Sequence, residues 1–129
     1  MKLNGFDHVT VVVTDPERAA AFYRDVLGLQ EVAIPSTFPS AGLRVRWLRT
    51  GNQYVHLYIS PEADSKSPRH MALHVDDAQA ARAYFSSKGI AVRETVAIPG
   101  ADRFFIADPD GNRIELIQWR DASAIAPVA

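Results

Sequence analysis

The 129-residue sequence contains no cysteine, which excludes disulfides, thiolate nucleophiles and cysteine-bound zinc or iron–sulfur sites. No apolar run approaches the roughly 20 residues that a membrane span needs, so we expect no membrane partner. Residues 1–5 lack the apolar core of a secretory signal, and we expect a cytoplasmic protein. The 14 basic and 15 acidic side chains leave no broad basic field, so we expect no nucleic-acid partner.

The sequence instead has an ordinary globular composition and two similar halves. Hydrophobic residues make up 47% of the chain and charged residues 22%, which suits one small folded domain spanning residues 1–129. The first half, about residues 5–60, predicts the element order β-α-β-β-β, and the second half, about 69–120, predicts the same order. The polar, turn-rich stretch 61–68 predicts a linker between them.

Local signals set the bounds of the predicted elements. Asp15 and Asp77 suit the N-caps of two helices, and Gly28 and Gly89 suit the ends of those helices. The helices are predicted over 16–27 and 78–88, and strands over 6–13, 29–34, 43–49, 54–59, 70–75, 90–96, 103–107 and 113–119. The stretch 108–111 predicts a tight turn between the last two strands rather than a calcium site.

The two halves also match residue by residue when one is shifted by 62 positions. The match needs one deletion before the glycine that ends the second helix, and a further gap near the end of each half. Aligned in this way are His8 with His70, Val13 with Val75, Asp15 with Asp77, Ala19 with Ala81, Ala21 with Ala83, Gly28 with Gly89 and His56 with Glu115.

Three histidines and one carboxylate therefore occupy repeat-related positions. The halves of a duplicated unit of this kind pair about a pseudo-two-fold axis, so we expect equivalent positions to converge. Imidazole and carboxylate groups are good ligands for a divalent first-row metal. The sequence predicts a metal site made of His8, His56, His70 and Glu115.

Strand alternation adds residues to the predicted pocket, because positions two apart share a face. His74 lies with His70 on this basis and, together with His56, is a candidate catalytic base. Five arginines, Arg44, Arg46, Arg49, Arg69 and Arg103, are interpreted as mostly a solvated face, with one or two available to an anionic substrate. The predicted substrate pocket contains Tyr54, Tyr58, Trp47 and Arg113, with Phe38 as a further wall residue.

Four segments resemble the vicinal oxygen chelate superfamily, which includes glyoxalase I, bleomycin-resistance proteins and extradiol dioxygenases. They are residues 6–13, 21–29, 70–77 and 108–117, among which the strings FYRDVLGL and DPDGNRIEL are specific to the superfamily. The resemblance implies an α+β fold, in which two βαβββ modules form a curved mixed sheet around a central cavity. It also implies a homodimer with its site at or near the interface.

The same resemblance implies a bound divalent ion, Zn, Ni, Co, Fe or Mn, at His8, His56, His70 and Glu115. The position of His56 is usually Glu in bacterial glyoxalase I and commonly Gln in the epimerases of the superfamily. The expected function is that of a glyoxalase-like lyase or isomerase, in which a small oxygenated molecule chelates the metal through two oxygens. The alternatives are an Fe(II) or Mn(II) dioxygenase, a small-molecule binding protein without turnover, and a thiol transferase of the fosfomycin-modifying type.

Overall fold

The computed structural model describes residues 1–38 and 44–128. Their contacts divide the chain into two compact units. Unit 1 consists of Met1–Lys66 with Asp108–Asn112, and unit 2 consists of Ser67–Ala107 with Arg113–Ala129. Among the described residues, no helix has both the length and the apolar character needed to cross a membrane.

Unit 1 contains a four-stranded mixed sheet and one helical segment. The strands are β1 (His8–Val13), β2 (Gln30–Val32), β3 (Val45–Thr50) and β4 (Gln53–Ile59), in the order β1-β4-β3-β2. β1 is parallel to β4, and the other pairs are antiparallel. Helix α1 (Pro16–Ala21) continues directly into a π-helical turn over Phe22–Val26.

Unit 2 has the same plan. Its strands are β5 (His70–His74), β6 (Arg93–Glu94), β7 (Ala101–Ala107) and β8 (Arg113–Trp119), in the order β5-β8-β7-β6. β5 is parallel to β8, and the other pairs are antiparallel. Helix α2 (Ala78–Ser87) lies between β5 and β6 in the chain, and a short 3-10 turn over Ala122–Ala124 follows β8.

The predicted capping residues start both helices. The Asp15 carboxylate accepts the Arg18 N–H at 3.0 Å, and the Asp77 carboxylate accepts the Ala80 N–H at 2.9 Å. Each bond satisfies one of the backbone donors that a helix leaves free at its first turn. Past the helix ends, Gly28 and Gly89 have φ of 77° and 74°, a conformation that glycine adopts at little cost.

Each unit buries its own apolar side chains and has few buried charges. Tyr23, Leu48 and Leu57 are fully buried in unit 1, and Phe104 and Ile114 are fully buried in unit 2. Removing such side chains from water stabilises the fold by roughly 25 cal/mol per Å² of apolar surface. A second contribution to the stability of unit 1 comes from the buried turn Asp108–Asn112, which follows β7 in the chain.

That turn is held by the carboxylate of Asp108, which is 5% exposed. One carboxylate oxygen accepts the Asp110 and Asn112 N–H groups at 2.9 Å, and the other accepts the Tyr23 hydroxyl and the Asn112 side-chain amide at 2.8 Å. Gly111 closes the turn with a 3.0 Å bond from its N–H to the Asp108 carbonyl. The predicted turn is confirmed, and four hydrogen bonds explain why Asp108 is buried.

The predicted α+β class is confirmed, and every predicted strand has a counterpart. The predicted strands 29–34 and 90–96 are shorter in the structure, as Gln30–Val32 and Arg93–Glu94. The predicted strand 43–49 is observed as Val45–Thr50, and Leu43 lies outside the described residues. The predicted first helix is observed as a continuous helical segment, and its second half is π-helical rather than α-helical.

Candidate functional site

On unit 1, strand pairing places the predicted residues on one face of the sheet. His8 lies opposite Tyr54 and Thr10 opposite His56 between β1 and β4, and Trp47 on β3 lies opposite His56. The His8 and His56 rings stack with centroids 3.9 Å apart, and the His56 and Trp47 rings stack at 4.2 Å. Two of the four predicted metal ligands therefore lie side by side in a three-ring stack.

This stack lies in a cleft of about 540 Å³ on the same face of unit 1. All four aromatic residues predicted to line the pocket from this half of the chain line the cleft. Among the described lining residues, Asp7 is the only aspartate, glutamate, lysine or arginine. The aromatic and histidine side chains of the lining are His8, Phe38, Trp47, Tyr54, His56 and Tyr58.

The two histidines of unit 1 differ in their surroundings. The Nδ1–H of His8 donates to the Asp7 carboxylate at 2.8 Å, so Nε2 is the ring nitrogen that Asp7 leaves uncovered. Burial, and then the neighbouring His8, lower the pKa of His56, while Asp7 acts weakly in the opposite direction. A neutral imidazole is the form that binds a metal or accepts a proton.

On unit 2, the structure brings together the other two predicted ligands. His70 Nε2 lies 3.4 Å from Oε1 of Glu115, whose side chain is 8% exposed. Between β5 and β8, His70 lies opposite Arg113 and Ala72 opposite Glu115. This is the same register that pairs β1 with β4, so the His–Glu pair occupies the positions of the His–His pair in unit 1.

The chemistry of the unit 2 pair fits a divalent metal. The Nδ1–H of His70 donates to the Pro68 carbonyl at 2.9 Å, so Nε2 is the ring nitrogen that faces the Glu115 carboxylate. A ring nitrogen and a carboxylate oxygen that face each other in a partly buried place are favourable when a proton or a cation lies between them. Metal-binding histidines characteristically have their second ring nitrogen fixed by a carbonyl or carboxylate, as His8 and His70 do here.

Arg103 is a site residue whose contacts the sequence analysis missed. Its Nη1 lies 3.1 Å from Glu115 Oε1, and its Nε and Nη2 donate to the Val96 carbonyl at 3.1 and 2.8 Å. The interpretation of Arg103 as a solvated arginine is wrong. Phe105 on β7 lies opposite Glu115 on β8, and Arg103, two residues before Phe105, lies on the same face of the sheet. Arg46 is also only 22% exposed in its side chain and binds Glu17 and Glu31.

The two remaining predicted residues lie on the same face of unit 2. The Arg113 guanidinium is 4.5 Å from the centroid of the Phe105 ring, and the His70 ring packs edge-on against that ring at 4.9 Å. His74 lies two residues beyond His70 on β5 and is exposed. Within residues 1–38 and 44–128, no three His, Asp or Glu side chains group together as a metal site. The four-ligand site therefore stays a prediction.

The fold and the family sequence pattern define the class of this protein. A family model described as "Glyoxalase/Bleomycin resistance protein/Dioxygenase superfamily" matches residues 5–116, so the chain belongs to that superfamily. A solved glyoxalase family protein from Bacillus anthracis has a TM-score of 0.82 and 30% identity, over 92% of this chain and 98% of that chain.

Two further relatives are named for activities. Mitochondrial methylmalonyl-CoA epimerase of Mus musculus is 34% identical over 91 residues, which cover 62% of this chain and 51% of the relative. The chain spans about half the length of that curated relative. Lactoylglutathione lyase from Agrobacterium tumefaciens has a TM-score of 0.72 and 24% identity, over 92% of this chain and 96% of that chain, and shares the fold.

Proposed function

We propose that the chain is a divalent-metal-dependent lyase or isomerase that acts on a small oxygenated molecule. The observation that carries the proposal is the His70–Glu115 pair. The Pro68 carbonyl holds Nδ1 of His70, and Nε2 faces a carboxylate that is largely removed from water. The lyase and epimerase named among the relatives support this reaction class.

The proposed ligands are His8, His56, His70 and Glu115. His8 and His56 belong to unit 1, and His70 and Glu115 belong to unit 2. The proposed assembly is a homodimer with its site at or near the interface. When bound, the ion supplies Lewis-acid chemistry, holding two neighbouring oxygens of the substrate and stabilising negative charge on them. Zinc, nickel or cobalt suits the lyase or isomerase, whereas iron or manganese suits a dioxygenase.

The histidines of this chain are assigned the proton transfer. Because burial lowers the pKa of His56, its ring is unprotonated at neutral pH, and a ring nitrogen that binds no metal can accept a proton. His74 is exposed on the His70 strand and can exchange a proton with water. His56 therefore serves either as the fourth ligand or as the base, and His74 serves as a second base.

The lining of the unit 1 cleft favours a substrate with a planar, apolar part. Trp47, Tyr54 and Tyr58 offer ring surfaces, and the described lining carries neither lysine nor arginine. On unit 2, the Arg113 guanidinium, held against Phe105, offers a charged partner for a substrate oxygen. A small molecule with both an apolar ring and vicinal oxygens satisfies these requirements.

Elemental analysis of the purified, tag-free protein tests the proposal. We expect about one divalent ion per chain in the wild type and almost none in His70→Ala. His74→Ala is the matched control, because it removes a histidine from the same strand without removing a proposed ligand. Zinc, nickel or cobalt together with turnover that consumes no oxygen would support a lyase or isomerase.

Two results would contradict the proposal. Iron or manganese with oxygen uptake would indicate the dioxygenase. A wild type that binds no metal after incubation with each ion would leave a binding protein. In that case, ligand binding should survive both a chelator and His8→Ala.

A further inference from the structure

The Glu115 carboxylate already has a cationic partner within its own unit. Arg103 Nη1 reaches the same oxygen, Oε1, that faces His70 Nε2, with distances of 3.1 and 3.4 Å. The Arg103 side chain is 18% exposed and the Glu115 side chain 8% exposed. An arginine–carboxylate contact this sheltered from water is stronger than one on an open surface.

An arginine occupies this sheet position in unit 2, which has the Glu115 carboxylate, but not in unit 1. Matching the registers of the two sheets puts Arg103 at the position of Val45 in unit 1, because Arg103 pairs with Ile117 as Val45 pairs with Tyr58. In unit 1 the position of Glu115 is taken by His56, which has no carboxylate. An arginine thus faces the one ligand candidate that carries a negative charge.

The anchoring of Arg103 allows it to be displaced. Its other two donors both bind one backbone carbonyl, that of Val96. Release of Glu115 Oε1 therefore breaks one side-chain contact of the guanidinium and leaves its backbone anchor.

We propose that Arg103 is a built-in counter-cation for Glu115, which occupies the carboxylate in the metal-free protein and weakens its affinity for a divalent ion. The inference rests on the proposed function, because it requires Glu115 to be a metal ligand. Two effects act in the same direction. The guanidinium competes for Oε1, and its positive charge repels a second cation a few ångströms away. Arg103 is thus a positioning residue that sets the metal concentration needed to load the site.

The test compares metal affinity among arginine variants of chelator-stripped protein. Zn²⁺ and Co²⁺ are titrated in competition with a chromophoric chelator. Arg103→Met removes the charge and keeps the apolar stem, and we expect its Kd to fall by about ten- to a hundredfold. Arg103→Lys keeps the charge, and we expect a Kd within about threefold of wild type.

Arg120→Met is the matched control for loss of one positive charge in unit 2. Arg120 binds Asp102 at 3.3 Å and its side chain is 60% exposed. Its removal should change the Kd by less than about twofold, since exposed charges are well screened. Should Arg103→Met not fold, Arg103→Gln replaces it, because a neutral amide can still donate to the Val96 carbonyl.

Thermal unfolding provides a readout that does not depend on turnover. Without metal, Arg103→Met should melt several degrees below wild type, because it leaves the Glu115 carboxylate without its cation. Saturating Zn²⁺ should raise the Tm of the variant by more than it raises that of wild type.

An unchanged or weaker Zn²⁺ affinity in Arg103→Met would overturn the inference and leave the proposed function intact. If Arg103→Lys gained as much Zn²⁺ affinity as Arg103→Met, the inference would also be overturned. The lysine keeps the positive charge, so loss of that charge would not explain the gain. Failure of the wild type and all variants to bind any ion would instead remove the proposed function, and the inference with it.

Discussion

The two units share one plan but differ at the positions where chemistry is expected. The sheet orders and registers are the same, so residues can be paired position by position. The rings that line the open cleft of unit 1 are aromatic and histidine rings, and its one carboxylate is that of Asp7. The corresponding face of unit 2 carries a glutamate and two arginines. A duplicated scaffold has thus kept its backbone pairing while the charge on one face diverged.

The networks that tie helix to sheet also differ between the units. In unit 1 the arginine is on a strand, because Arg46 on β3 binds Glu17 of α1 and Glu31 of β2. In unit 2 the arginine is on the helix, because Arg82 of α2 binds Glu94 of β6 and Asp102 of β7. In each unit an arginine links the helix to the sheet, and the arginine is on a strand in unit 1 and on the helix in unit 2.

The helices differ by one residue. The capping aspartates are 62 positions apart and the terminal glycines 61. After the helices, the Leu29 N–H donates to the Tyr23 carbonyl, and the Ile90 N–H donates to the Phe85 carbonyl. The extra residue of unit 1 therefore lies between Tyr23 and Leu29, where the helix adopts its π-helical turn.

The largest expected effect tests whether both units bind the ion. His8→Ala and His70→Ala should each weaken metal affinity by more than about 100-fold, because loss of an outer-shell partner alone costs 10- to 100-fold. Titration of chelator-stripped protein measures both. Thr10→Ala changes a residue on the His8 face and should keep the wild-type affinity. If His8→Ala also keeps the wild-type metal affinity, the ion binds to unit 2 alone. The two units would then differ in function.

The buried ring near the π-helical turn gives the next largest effect. Tyr23 in unit 1 corresponds to Phe85 in unit 2, and only Tyr23 donates a hydrogen bond, at 2.8 Å to Asp108. Burial and the Asp108 charge raise the pKa of Tyr23 far above its ordinary value, so it remains a donor throughout the alkaline range. Tyr23→Phe should lower the free energy of unfolding by about 1–3 kcal/mol, because it leaves a buried acceptor short of one donor.

Urea unfolding measures this change. Tyr58→Phe is the control, because Tyr58 is 51% exposed and should shift stability by less than about 0.5 kcal/mol. Equal losses in the two variants would show that the Tyr23–Asp108 bond does not distinguish unit 1 from unit 2.

The part of the fold and site that follows from local patterns was predictable. Alternation along β4 puts Tyr54, His56 and Tyr58 on one face whatever the neighbouring strand is, and the structure places all three in one cleft. Capping by Asp15 and Asp77 needs only three residues of sequence, and both caps are observed. Such features depend on residues close together in the chain.

The parts that depend on pairing between strands could not be predicted in this way. Arg103 reaches Glu115 because of the β7–β8 register, which the sequence does not specify for a single arginine. The sequence shows that unit 1 has one more residue than unit 2 between the capping aspartate and the terminal glycine. Such an extra residue fits either in a longer loop or in a wider helical turn. Only the structure shows that a π-helical turn absorbs it.

A smaller effect tests the ion pair between Arg82 and Asp102, in which the arginine is on the helix of unit 2. Hydrogen bonds from Arg82 lower the pKa of Asp102, whose side chain is 17% exposed. The stability that Asp102 adds is therefore present at neutral pH and lost as the pH falls from its ordinary value of 3.8 through its lower folded-state pKa. Asp102→Asn should cost about 1–2 kcal/mol at pH 7, because Arg82 keeps Glu94 as a partner.

Denaturant unfolding between pH 7 and pH 2 measures this difference. The gap between wild type and Asp102→Asn should narrow below pH 3.8. Glu62→Gln, an exposed change in unit 1, should stay within about 0.5 kcal/mol of wild type. A gap that stays constant down to pH 2 would mean that the Arg82–Asp102 ion pair does not contribute through its charge.

The smallest effect is a shift in the titration of His56, which lines the unit 1 cleft. Burial is the main cause that lowers the pKa of His56, and His8 is the second. In metal-stripped protein, the His56 ring signal in NMR should titrate with a midpoint below the ordinary 6.5. His8→Ala should move that midpoint up only part of the way, because burial remains. A midpoint at or above 6.5 would mean that burial and His8 do not lower the pKa of His56, and the contrast between the two units would fail at the central residue of the unit 1 cleft.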